Sequence, residues 1–266
     1  MLSKYGTDAV TIACIGVLAY MLGNVLHEVL GHGGACLISG EKPLVVSTVH
    51  LECSVDKRLV MAGGTLVNFI AGAVFFVLGR MTGRAWPRLK YFFWLSMAVN
   101  LFTATGYFLF SGIGGVGDWA LFIEGLGAPW AWRIGMTVLG AVGYTLAAWL
   151  VVLEVRPLVG SDKDERYRRA KRLSWIPYFA GGTLACIAGS LNPQGMILVA
   201  MSAAASTFGG TSGFLWAMKW LNGDILLGPP AEPLSIERSW VWIVTACVAV
   251  ASFIALLGPG WRFSGK

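Results

Sequence analysis

The residues best suited to chemistry are His27, Glu28 and His32, in the run His27-Glu28-Val29-Leu30-Gly31-His32. The chain has only three histidines, and two stand here, inside a long apolar stretch. Ionisable groups at membrane depth are costly and are functional candidates by default. Two imidazoles and a carboxylate can hold a zinc ion, one per chain, and leave its fourth position to water. The pKa of that water then falls toward about 7. A second carboxylate, not itself a ligand, can take the water's proton. The plain alternative is a pair of histidines that only hydrogen-bond to neighbouring helices.

The spacing constrains how these groups can meet. In a helical H-E-x-x-H pattern the two histidines are four apart, face one way, and leave the glutamate as base. Here they are five apart, which on a regular helix turns them roughly 140° away from each other. A π-bulge would absorb the extra residue, and such bulges favour functional sites. Gly31, Gly33 and Gly34 make that rewinding cheap. Alternatively the helix is regular, Glu28 and His32 form the facing pair, and Glu28 is a ligand. The bulge is the preferred expectation, because it leaves Glu28 free as the general base.

A third ligand must come from elsewhere, and Asp118 is the first choice. It follows the break Ser111-Gly112-Ile113-Gly114-Gly115-Val116-Gly117, and non-helical backbone at membrane depth is tolerated only where protein or a cavity surrounds it. As a plain residue, Asp118 would be a solvated loop aspartate or a helix N-cap. The rivals are His50, Cys36 (four after His32), Glu124 and Glu52. His50 lies in Val45–Leu51, a β-prone run that reads as a strand or re-entrant hairpin. Two asparagines in apolar runs, Asn68 and Asn100, are candidates to support a substrate carbonyl or its oxyanion. Their ordinary role in membranes is interhelical hydrogen bonding. Small residues around Asn68 would let the second helix approach the first closely.

The elements that must position these groups follow from composition. Of 266 residues, 56% are hydrophobic and 13% are charged, and mean hydropathy is +0.68. Half the usual charge of about 25% cannot cover a water-facing surface, so the chain reads as an all-α polytopic membrane protein. Five scattered cysteines with no C-x-x-C pair suggest neither a disulfide framework nor a zinc knuckle. Apolar runs extend from about Ala9 to Ile38, Leu59 to Met81, Tyr91 to Phe110, Trp130 to Val155, Trp175 to Leu191, Met196 to Leu221 and Trp240 to Leu257. That makes seven transmembrane helices, or six if Pro193 kinks a longer segment rather than ending one, with a short re-entrant β segment after the first. The first run is too long for a signal-peptide core and has no clear cleavage site, so it is expected to be retained.

The formal net charge of +6 is a topology signal rather than a nucleic-acid footprint. Arg80, Arg84, Arg88 and Lys90 follow the second run, and the charged segment Ser161–Arg172 follows the fourth. Both loops have the same parity, which puts them and the N-terminus in the cytoplasm and, with seven spans, the C-terminus outside. Residues 1–125 are expected to form the core around the site and 126–266 to add further helices to one membrane domain.

These residues resemble the site-2 protease family, the intramembrane zinc metalloproteases. The His27–His32 run resembles that family's H-E-x-x-H motif with one residue inserted. Gly64-Thr65-Leu66-Val67-Asn68 resembles its G-P-x-x-N-like segment, with Thr65 where proline is usual. Asp118 resembles its later membrane-embedded aspartate in order and setting only, without the flanking prolines. The resemblance covers about residues 10–125. It implies that His27, His32 and Asp118 hold zinc, that Glu28 activates water, and that the substrate is a transmembrane helix of another protein. The expected setting is the cell (inner) membrane. The competing expectations are a multi-pass transporter and a catalytically inactive, protease-like membrane protein.

Overall fold

The computed structural model describes residues 6–55, 57–193, 195, 199–222 and 232–263. A continuous helix, α1, spans Ala9–Ile38. Asp8 caps it, its carboxylate accepting from Thr11 N at 2.8 Å and so satisfying one of the first-turn amides. Strands β1 (Pro43–Val46) and β2 (Leu51–Cys53) form an antiparallel hairpin. Helices α2 (Arg58–Met81), α3 (Pro87–Gly114), α4 (Asp118–Phe122), α5 (Pro129–Val159) and α6 (Lys163–Ser190) follow. A π-helical segment, Val199–Gly209, leads to α7 (Gly213–Trp216) and a 3-10 turn, Ala217–Asn222. Helix α8 (Trp240–Leu257) ends at strand β3 (Trp261–Arg262), which joins the sheet beside β1. The β segment expected after the first helix is therefore a hairpin completed by the chain's last described strand.

Five helices among the described residues are long and apolar enough to cross a membrane: α1, α2, α3, α5 and α8. Seven spans are not established. The run expected at Trp175–Leu191 is the second half of α6, whose first half carries the charged segment read as a loop. The run expected at Met196–Leu221 is broken into π-, α- and 3-10-helical pieces, and its residues 196–198 lie outside the described set. Apolar content alone could not reveal that break.

The basic loops gather at one end of the bundle. Arg80 pairs with Glu154 at 2.9 Å, and Arg238 pairs with Asp8 at 3.2 Å. Arg88 Nε donates to Glu237 O at 3.0 Å, which ties the α2–α3 turn to the chain near Asp8. Buried Arg169 donates to the carbonyls of Leu158 and Leu234. The hairpin and Asp118 lie at the opposite end of α1.

At the hairpin end, Cys36 and Cys53 form a disulfide. The expectation that the scattered cysteines form no disulfide framework is thus corrected for these two. Cys36 sits near the end of α1 and Cys53 in β2, and the turn of chain between them brings their Cα atoms to 6.1 Å, a separation that permits a bridge. Cysteines 14, 186 and 247 are free.

In lipid, helices gain little from apolar burial, so close backbone packing and interhelical hydrogen bonds matter most. Helices α1 and α2 meet through glycines: a Cβ on Gly31 would lie 2.5 Å from Gly64 Cα. Helix α3 runs through the centre of the bundle. Its Tyr91 hydroxyl donates to Leu173 O at 2.7 Å and its Trp94 Nε1 to Val151 O at 3.0 Å, so the polar tips of both buried rings are satisfied.

Candidate metal centre

Within α1, residues Leu26–Gly33 are π-helical. Bonding of the i→i+5 type brings residues five apart onto one face, and His27 and His32 converge. Their rings lie 4.8 Å apart, edge to face, and the two Nε2 atoms are 3.2 Å apart. The regular-helix alternative, with Glu28 and His32 as the facing pair, is not adopted. The sequence permits the rewinding because Gly31, at the contact with α2, has no side chain to displace.

Asp118 reaches the same point from the far side. Gly115 and Gly117, at φ 68° and 84°, take backbone conformations that favour glycine, and they turn the chain out of α3 into α4. Trp119 then pins α4: its Nε1 donates to Thr65 Oγ1 at 3.0 Å and its ring stacks on Phe108 at 4.5 Å. Asp118 Oδ2 comes to 3.2 Å from His27 Nε2 and 3.3 Å from His32 Nε2.

The hydrogen bonds behind the rings fix what these atoms are. His27 Nδ1 is 2.6 Å from Asn68 Oδ1, and His32 Nδ1 is 2.6 Å from the Val60 carbonyl. A carbonyl oxygen only accepts, so each Nδ1 carries the proton. In the neutral rings each Nε2 is then a bare lone pair. Two such nitrogens and a carboxylate oxygen, all acceptors, form a triangle with edges of 3.2, 3.2 and 3.3 Å. Three ligands of a tetrahedral zinc ion with bonds of about 2.0–2.1 Å stand about 3.3–3.4 Å apart. The donor set, the size of the triangle and the Nδ1–H contacts behind the ligands all fit that ion.

Glu28 is buried and lines the cavity beside this triangle. The cavity, about 250 Å³, also touches His32, His50, Tyr107 and Asp118. A second, smaller cavity of about 40 Å³ adjoins Glu28 and His27, among Asn24, Thr48, Tyr107 and Ser206. Its lining includes Asn24 Oδ1 and Thr48 Oγ1, buried oxygens with no hydrogen-bond partner among the described residues. A polar space of that size accommodates a water molecule.

The remaining candidates are placed elsewhere. Asn68 and Asn100 are fully buried behind His27 rather than at the cavity. Asn68 Nδ2 donates to Asn100 Oδ1 at 2.7 Å and to Gly23 O at 3.3 Å, and Asn100 Nδ2 donates to Ser96 O at 2.8 Å. With these groups engaged, the pair backs His27 and does not line the cavity. Cys36 is consumed by its disulfide. Glu52 alternates outward on β2 between inward Leu51 and Cys53, and Glu124 is exposed. His50 lines the cavity but lies outside the converging group of His27, His32 and Asp118.

Sequence reasoning missed Trp119, Thr65, Tyr107 and the Val60 carbonyl. Tyr107, whose ring lies tilted against His27 at 4.7 Å, lies seven residues after Asn100, the spacing of one helical face. That was the one available signal. No family model, curated protein or solved structure matches the chain.

Proposed function

We propose that the protein is a membrane-embedded zinc metalloprotease that hydrolyses peptide bonds of membrane-embedded substrates. The observation carrying this reading is the acceptor triangle of His27, His32 and Asp118, with both imidazoles locked in the ligating tautomer and Glu28 beside them. Zinc bound there would polarise a substrate carbonyl and make water acidic enough to react near neutral pH. His27, His32 and Asp118 would hold the ion, and Asn68 and the Val60 carbonyl orient the rings.

Glu28 takes a proton from water as the water oxygen adds to the carbonyl carbon. The C–N bond then breaks, and Glu28 returns that proton to the leaving nitrogen. The small polar cavity behind Glu28 offers a place for water inside an otherwise apolar bundle. The larger one leaves room for a locally extended segment of a substrate helix.

The resemblance to site-2 proteases over residues 10–125 supports the same reading. The Cys36–Cys53 bridge lies at the end of α1 opposite the basic loops. Disulfides persist in oxidising compartments and basic loops stay cytoplasmic, so both features favour a cytoplasmic N-terminus in a cell membrane.

The test is Glu28→Gln in purified protein, assayed with a transmembrane peptide in detergent or vesicles. Zinc content should stay at the wild-type level while cleavage is lost. Wild-type turnover in Glu28→Gln would remove the general base, and no zinc in the wild type would remove the reading.

A further inference from the structure

Of the three histidines, His50 is the one the metal centre does not use. It sits in the turn between β1 and β2, and that turn is held firmly. Ser47 N and Ser47 Oγ both donate to His50 O at 2.9 Å, and His50 N donates to Ser47 Oγ at 3.1 Å. Asn24 Nδ2, from α1, donates to Thr48 O at 2.8 Å, and Thr48 N donates to Leu257 O at 3.1 Å. The disulfide fixes the far end of β2 to α1. The hairpin turn is therefore clamped to α1 and α8, not a free loop.

His50 lines the same cavity as Glu28, His32 and Asp118. Hydrolysis needs a hydrogen-bond donor aimed at the oxygen that becomes negative. The polar groups around the cavity are mostly committed. Glu28 and Asp118 are acceptors, and the N–H groups of His27 and His32 are turned away to Asn68 and Val60. Ser206 donates to the Tyr107 hydroxyl, which leaves the Tyr107 O–H, among the described residues, as the cavity's one other side-chain donor not turned away from it. Among the described residues, the His50 ring makes no hydrogen bond. A ring N–H carried on a clamped turn that lines a cavity with few other uncommitted donors is placed to serve a ligand there.

We infer that His50 is a catalytic residue: its ring N–H donates to the carbonyl oxygen of the bound peptide and stabilises the negative charge that develops there. This rests on the proposed protease reading. His50 is not a metal ligand, and its contribution is to the transition state rather than to ground-state binding.

The experiment compares wild type, His50→Ala and His50→Gln in purified, zinc-loaded full-length protein. His50→Ala should lower kcat by about 10²–10³-fold, the cost of removing one such donor. KM should stay within about twofold and zinc content should not change. His50→Gln keeps an N–H donor and should recover about tenfold of the loss. A phosphinic peptide, an unreactive mimic of the tetrahedral oxyanion, gives a reading independent of turnover, and its affinity should fall in His50→Ala by about the factor lost from kcat/KM. Wild-type kcat in His50→Ala, zinc lost in step with activity, or unchanged phosphinic-peptide affinity would each overturn the assignment. A wild type that holds zinc and cleaves nothing would instead count against the protease reading, and the phosphinic-peptide affinities would still decide His50.

Discussion

Gly64 is where the structure makes its sharpest demand. A Cβ on Gly64 would lie 2.5 Å from His27 Cε1 and Nε2. Ordinary van der Waals contact for such an atom is 3.4–4 Å, so Gly64→Ala requires the imidazole or α2 to move by about 1 Å. Zinc–ligand distances tolerate only about 0.2 Å of error. The ring cannot retreat freely, because Nδ1 is held by Asn68 at 2.6 Å and the other face is covered by Tyr107 at 4.7 Å. Displacing a ligand should exceed the effect of disturbing an outer partner, which is about 10–100-fold. Zinc affinity should therefore fall by more than about 100-fold, with overpacking costing about 1–3 kcal/mol of stability. Competition with a fluorescent zinc chelator measures the first quantity and thermal unfolding the second. Gly34→Ala is the control: nothing lies within 4 Å of its Cβ position, so zinc binding should not change. Equal zinc affinity in Gly64→Ala and wild type would refute the packing argument and the placement of His27 with it.

Asn68→Ala removes the acceptor behind His27 and should weaken zinc about 10–100-fold, measured by the same competition. If affinity is unchanged, Asn68 does not orient the ring. Replacing Cys36 and Cys53 by serine opens a loop with a separation of 17 residues. The loss should be about 3 kcal/mol, a fall of roughly 6–12 °C in melting temperature, with zinc retained, because neither cysteine is a ligand. Reducing agent should reproduce the shift in the wild type and leave the double variant unmoved.

The site was legible where residue types were rare and spacing was restrictive. Two of three histidines flanking a glutamate in an apolar run left few readings. A separation of five could be reconciled with one metal only by rewinding the helix, and the backbone at Leu26–Gly33 is rewound. Asp118 was found through the glycines that free the chain to turn.

What was not legible depended on where a side chain faces. Asn68 and Asn100 are polar residues in apolar helices whether they line a cavity or back a ligand, and only the packed arrangement puts both behind His27. The disulfide was missed because a separation of 17 does not reveal that a hairpin folds back onto the helix it follows. Strand alternation turns Glu52 outward once Leu51 and Cys53 face inward. The break in the run ending at Leu221 was hidden because apolar composition does not distinguish α- from π- and 3-10-helical backbone.

The central claim is that His27, His32 and Asp118 form one zinc site. X-ray absorption at the zinc edge on purified protein tests it directly. The account predicts about one zinc per chain, two imidazole nitrogens and carboxylate or water oxygen at about 2.0–2.2 Å, and no sulfur. It also predicts loss of one imidazole contribution, or of the metal, in His27→Ala and in His32→Ala. A sulfur shell at about 2.3 Å, or an unchanged spectrum in both histidine variants, would contradict it.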